Sequence, residues 1–115
     1  MKLKTVIHMD QQEEEILTTA LGNIRNFLEE AGDENDVRMV VNHNAVKFFT
    51  RQDASDHADS ISGLASKGVQ FLICNNSISK MGIDTSDLLE SCQVVPAGIV
   101  EIVRLQNEGF AYVKP

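Results

Sequence analysis

Residues Val69-Gln70-Phe71-Leu72-Ile73 form an apolar run that stops abruptly at Cys74-Asn75-Asn76-Ser77. Val69, Phe71 and Ile73 are strand formers with almost no polar break, the pattern of a strand covered on both faces. Asn75, Asn76 and Ser77 are helix-capping types, and Ile78 to Met81 can carry one or two helical turns. Cys74 is therefore expected where a buried strand meets a helix N-terminus. Unpaired backbone N–H groups and the helix dipole favour a thiolate there.

The rest of the chain alternates strand and helix around that run. Leu3 to Met9 reads as the first strand. Asp10 with Glu13 resembles a helix cap, and Glu13, Glu14 and Glu15 read as a solvated first helical turn. Ile16, Leu17, Ala20, Leu21, Ile24, Phe27, Leu28 and Ala31 keep helical spacing up to Gly32. Val37 to Val41 is a second strand, followed by Asn42-His43-Asn44 and a short helix over Ala45 to Phe49. After a polar link at Arg51 to Ser55, Ala58, Ile61, Leu64 and Ala65 give another helix, closed by Gly68. His57, near its start, is expected to be exposed. Asp84 to Asp87 should cap a short helical piece at Leu88 and Leu89. Gln93 to Val95 is a short strand, and Pro96-Ala97-Gly98 a turn. A last helix is expected to turn Ile99, Ile102, Val103 and Gln106 inward, before an edge strand at Phe110 to Val113.

This order predicts one domain over residues 1–115, an α/β/α sandwich with a mainly parallel sheet of about five strands. At 115 residues and 43% hydrophobic content, a core needs no disulfide staples. The formal net charge of -7 and the lack of any basic run argue against nucleic-acid or anionic-membrane partners. With two cysteines, no CxxC, no apolar leader and no apolar stretch near membrane-spanning length, a cytoplasmic protein with reduced thiols is expected.

Parallel sheets bind ligands at the carboxyl ends of their strands. Those ends carry His8 and Asp10, then Asn42, His43 and Asn44, then Cys74, Asn75 and Asn76. A cysteine here is either a small buried hydrophobe or an activated thiol. His8 and His43 either assist proton movement or bond to backbone. Cys92 precedes the fourth strand, at the opposite end of the sheet from Cys74, and reads as structural and unpaired. His8, His43 and Cys74 are ligand types that zinc and copper accept, but their spacing is nonspecific, so no metal and no cofactor is assigned. Glycine-rich nucleotide loops and serine nucleophile elbows are absent from the sequence.

Several segments resemble one family. They are Val6-Ile7-His8-Met9-Asp10, Leu21 to Asn26, Val40 to Lys47, Lys67-Gly68-Val69 leading to Cys74-Asn75-Asn76-Ser77, and Gly82-Ile83-Asp84. Val94 to Glu101 and Gly109 to Pro115 complete the match. Together they are similar to the DsrE/DsrF-like proteins, most closely the stand-alone, largely uncharacterised branch related to sulfur-relay proteins. The resemblance implies assembly into trimers or hexamers. It also implies that Cys74 matches the cysteine that carries sulfur as a persulfide between a donor and an acceptor protein. His8, Asp10, His43 and Asn76 match motif positions of the stand-alone branch, whereas Asn75-Asn76-Ser77 departs from the small residues that follow the relay cysteine. Two functions follow as expectations. One is a sulfur carrier or sulfurtransferase-like relay using Cys74, assisted by His43 and His8. The other is a non-catalytic oligomeric module binding a small ligand or metal, with Asp10, Asn42, Asn44, Asn75 and Asn76 lining its pocket.

Overall fold

The computed structural model describes residues 2–54 and 56–115. Strand β1 (Leu3–Met9), helix α1 (Glu14–Ala31) and strand β2 (Asn35–Val41) come first, followed by a 3-10 segment (His43–Phe49). Helix α2 (Ala58–Ser66), strand β3 (Gln70–Cys74) and helix α3 (Asn75–Lys80) form the middle of the chain. A 3-10 turn (Thr85–Asp87), strand β4 (Cys92–Val95), helix α4 (Gly98–Asn107) and strand β5 (Ala111–Val113) complete it. The sheet order is β4-β3-β2-β1-β5, and every pairing is parallel. The expected parallel α/β fold is therefore present. Ser55, the end of the expected polar link, lies outside the described residues.

Strand alternation divides the sheet into two faces. One face carries Ile7 and Met9 of β1, Val37, Met39 and Val41 of β2, and Phe71 and Ile73 of β3. It packs on Leu17, Leu21 and Ile24 of α1 and on Ile61 and Leu64 of α2. The other face carries Val6, Val40 and Leu72, covered by Ile102 and Leu105 of α4 and by Phe110. Chain direction explains the split. The connections from β1 to β4 all step one way across the sheet, whereas the last one returns to lie beside β1. Right-handed crossovers that run in opposite directions place their helices on opposite faces. One ten-residue helix therefore covers the second face.

That geometry corrects the expectation for the last helix. Gly98, Glu101, Ile102 and Leu105 are its buried residues, while Ile99 (63% exposed), Val100 (52%) and Val103 (51%) face outward and Gln106 is also exposed. Gly98 is the first residue of α4 rather than part of a turn. Asp10 does not cap α1, whose N-cap is Glu13; its carboxylate pairs instead with Lys114 at 2.5 Å. The helical piece expected at Leu88 and Leu89 lies just before them, over Thr85–Asp87, with Asp84 accepting from the Ser86 N–H. His57 is half-buried rather than exposed, pairing with Glu14 and packing edge-on against Phe48.

Both cysteines are free. Phe71 pairs with Cys92 and Cys74 with Val95, so the two cysteines are three residues apart along adjacent strands, about 10 Å.

Candidate functional site at the carboxyl end of the sheet

Alternation carries three polar side chains onto the α4 face. His8 follows Val6, Asn42 follows Val40, and Cys74 follows Leu72, each two residues on. Val40 pairs with Leu72, so Asn42 and Cys74 stand side by side one pleat beyond them. Gly98 closes the site from above. A Cβ at that position would lie 3.3 Å from Cys74 Cβ, from Asn42 Cβ and from Val40 Cγ1. Any side chain there would press on these three atoms, and glycine avoids that pressure where the first turn of α4 meets the strand ends.

Cys74 is the N-cap of α3 and is 5% exposed. Burial by itself raises a thiol pKa. Here the Ser77 hydroxyl and the backbone N–H groups of Gly98, Ser77 and Asn76 outweigh it, and the Cys74 pKa is lowered. Groups on two helices thus lower the pKa of one thiol. The Ser77 hydroxyl is held by the His43 backbone N–H, which donates to Ser77 Oγ at 2.8 Å. In that position His43 adopts a left-handed backbone, φ 52°, uncommon for a residue with a side chain. His43 therefore meets the site through its backbone, and the residue is otherwise exposed. Cys92 is the contrast: burial pushes its thiol up to about 12, with the Leu89 backbone offsetting only part.

His8 is bonded at both ring nitrogens. Nε2 lies 2.9 Å from Asn42 Oδ1 and Nδ1 lies 2.7 Å from the Tyr112 hydroxyl. A neutral imidazole satisfies both when Nε2–H donates to the Asn42 oxygen and Nδ1 accepts from Tyr112. Beside this chain, His8, Ile99, Ile102, Val103, Gln106 and Tyr112 line a recess of about 250 Å³.

The other candidates fall around this centre. Asp10 is drawn to the sheet edge by Lys114. Burial raises its pKa, but the hydrogen bond and charge of Lys114 and its own backbone N–H lower it, as does His8 whenever that ring is protonated. Asn44, Asn75 and Asn76 are exposed, and Asn76 reaches the sulfur with its backbone N–H. Among the described residues no group of three or more His, Cys, Asp or Glu side chains is arranged to hold a metal ion. Sequence reasoning alone does not find Gly98, Ser77 or Tyr112 as site residues. A glycine opening a helix at a strand-end site is the one local signal that points to Gly98.

A model of the DsrE/DsrF-like family matches residues 2–115. The chain belongs to this family. Among solved structures, the DsrE-like fold recurs in a protein of unknown function, MTH1491, from Methanobacterium thermoautotrophicum. That structure is 31% identical, with a TM-score of 0.93, covering 99% of this chain and 100% of its own. The ychN protein from E. coli shares the fold at 16% identity and a TM-score of 0.80, with each chain covered completely. No curated protein matches. No helix among the described residues is long and apolar enough to cross a membrane.

Proposed function

We propose that this DsrE/DsrF-like protein is a sulfur carrier whose cargo is a persulfide on Cys74. The observation that carries this reading is the placement of one free thiol at the carboxyl end of β3, where it is the N-cap of α3 and lies directly under Gly98, the first residue of α4. The Cys74 thiolate attacks the outer sulfur of a donor persulfide R–S–SH. A new S–S bond forms on Cys74, the donor's own S–S bond breaks, and R–S⁻ leaves as the thiolate. No net oxidation occurs, because the transferred sulfur keeps its oxidation state. A thiolate of an acceptor protein then takes the outer sulfur by the same exchange. Reduced thiols of this kind suit a cytoplasmic setting.

Cys74 is 5% exposed, which slows any reagent. Alkylation is therefore best read by its pH dependence rather than its absolute rate. The expected midpoint for Cys74 lies below the free-cysteine value of about 8.5, and Cys92 should stay inert across the same range. Incubation with a persulfide should add one sulfur at Cys74 by mass spectrometry. An unmodified Cys74 with an ordinary or raised midpoint would sink the carrier reading.

A second reading, a non-catalytic binding module, is favoured by the recess beside His8 and Tyr112. Retention of a small ligand there, lost on His8→Ala but kept on Cys74→Ala, would select it over the carrier.

Assembly is part of either reading. Ile99, Val100 and Val103 form an outward apolar strip on α4, because one helix cannot cover a whole sheet face and bury all of its own apolar residues. A trimer or hexamer that buries this strip is the expected state. Light scattering at micromolar concentration should give a mass several times 12.7 kDa, and Val103→Glu should lower it; a monomeric wild type would remove the assembly.

A further inference from the structure

We propose that Asn42 holds the outer sulfur of the Cys74 persulfide, with His8 and Tyr112 as positioning residues that fix its amide for that task. The inference rests on the sulfur-carrier reading and adds the group that recognises the cargo.

Asn42 Oδ1 is occupied by His8 Nε2 at 2.9 Å, and His8 is held from behind by the Tyr112 hydroxyl at 2.7 Å. An amide whose oxygen is engaged has its two N–H donors left to offer. Among the described residues those donors have no protein partner, and because no buried side-chain nitrogen there goes unpaired they stand at the open side of the site. The chain Tyr112–His8–Asn42 therefore fixes which way the amide faces.

Placement supplies the target. Asn42 and Cys74 sit side by side on the α4 face, each with its Cβ 3.3 Å from the Cβ position of Gly98. The groups that lower the Cys74 pKa are on Ser77, Gly98 and Asn76. Asn42 is not among them. A persulfide extends about 2 Å beyond Sγ and carries its negative charge on the outer atom. Donor-only polar groups select an anion, so the cargo that suits Asn42 is the persulfide anion rather than the bare thiolate.

The experiment compares equilibrium loading of wild type, Asn42→Leu and Tyr112→Phe at a fixed ratio of glutathione persulfide to glutathione, with the alkylation pH profile of the unloaded thiol alongside. Loss of a hydrogen bond to a charged group should lower loading of Asn42→Leu about tenfold. Tyr112→Phe, which removes one hydroxyl, should lower it about two- to threefold. In both variants the alkylation profile of unloaded Cys74 should match wild type, which a general structural disturbance would not allow. Equal loading in all three proteins, or a thiol profile that shifts together with the loading, overturns the role of Asn42 and leaves the carrier intact. Wild type that takes up no sulfur overturns both. If Asn42→Leu fails to fold, Tyr112→Phe decides: loading equal to wild type overturns the positioning chain.

Discussion

Gly98→Val is expected to slow Cys74 alkylation at neutral pH by about tenfold and to move the midpoint of its pH profile upward. A first added carbon would already stand 3.3 Å from Cys74 Cβ, Asn42 Cβ and Val40 Cγ1, and valine adds further methyl groups beyond it. Relief requires the first turn of α4 to lift away from the strand ends, which withdraws the Gly98 N–H from the sulfur. A hydrogen bond to a charged group contributes about 1.5–3 kcal/mol, and about 1.4 kcal/mol is a factor of ten. Overpacking of this kind should also cost about 1–3 kcal/mol of stability. The midpoint separates the electrostatic effect from simple blocking, because blocking slows alkylation equally at every pH. A slower reaction with an unmoved midpoint would show that the α4 amide does not hold the thiolate.

Phe49→Ala is expected to destabilise the fold by about 3–5 kcal/mol, lowering the melting temperature by roughly 10–20 °C for a domain of this size. Phe49 is fully buried, and its ring lies 5.7 Å from that of Phe71 on β3. Its backbone carbonyl also accepts the Leu89 N–H. It thus ties the 3-10 segment, the centre of the sheet and the approach to β4 together, and the cavity left by alanine would open among all three. Thermal or denaturant unfolding measures the loss; a change below about 1 kcal/mol would mean that neighbouring side chains collapse into the space.

The contrast between β3 and α4 shows where sequence reading succeeds and where it stops. Val69 to Ile73 is legible because a strand covered on both faces has almost no choice of composition. In α4 the apolar residues outnumber the buried positions, so spacing alone identifies a stripe without saying which stripe faces the sheet. The buried side includes Glu101, paired with Arg104 at 2.6 Å, while Ile99 and Val103 are outside. The expectation for Asp10 fails for a different reason. Its partner, Lys114, is 104 residues away, and no local pattern announces a contact of that range. Tyr112 is hidden in the same way, since it reaches His8 across 104 residues. The strand ends themselves are legible, which is why chain order alone picks out Cys74, His8 and Asn42.

The return of β5 to the side of β1 has a consequence for the order of assembly during synthesis. Thr5 bonds to Ala111 across 106 residues, so the outer edge of β1 stays open until nearly the whole chain has been made. Long-range pairings of this kind form late. The sulfur's surroundings follow the same timetable: Asn76 and Ser77 emerge soon after Cys74, Gly98 comes later, and Tyr112 closes the chain behind His8 last. A chain that ends before Gly98 would carry the cysteine without the amide of α4, and one that ends before Tyr112 would carry His8 without its second partner.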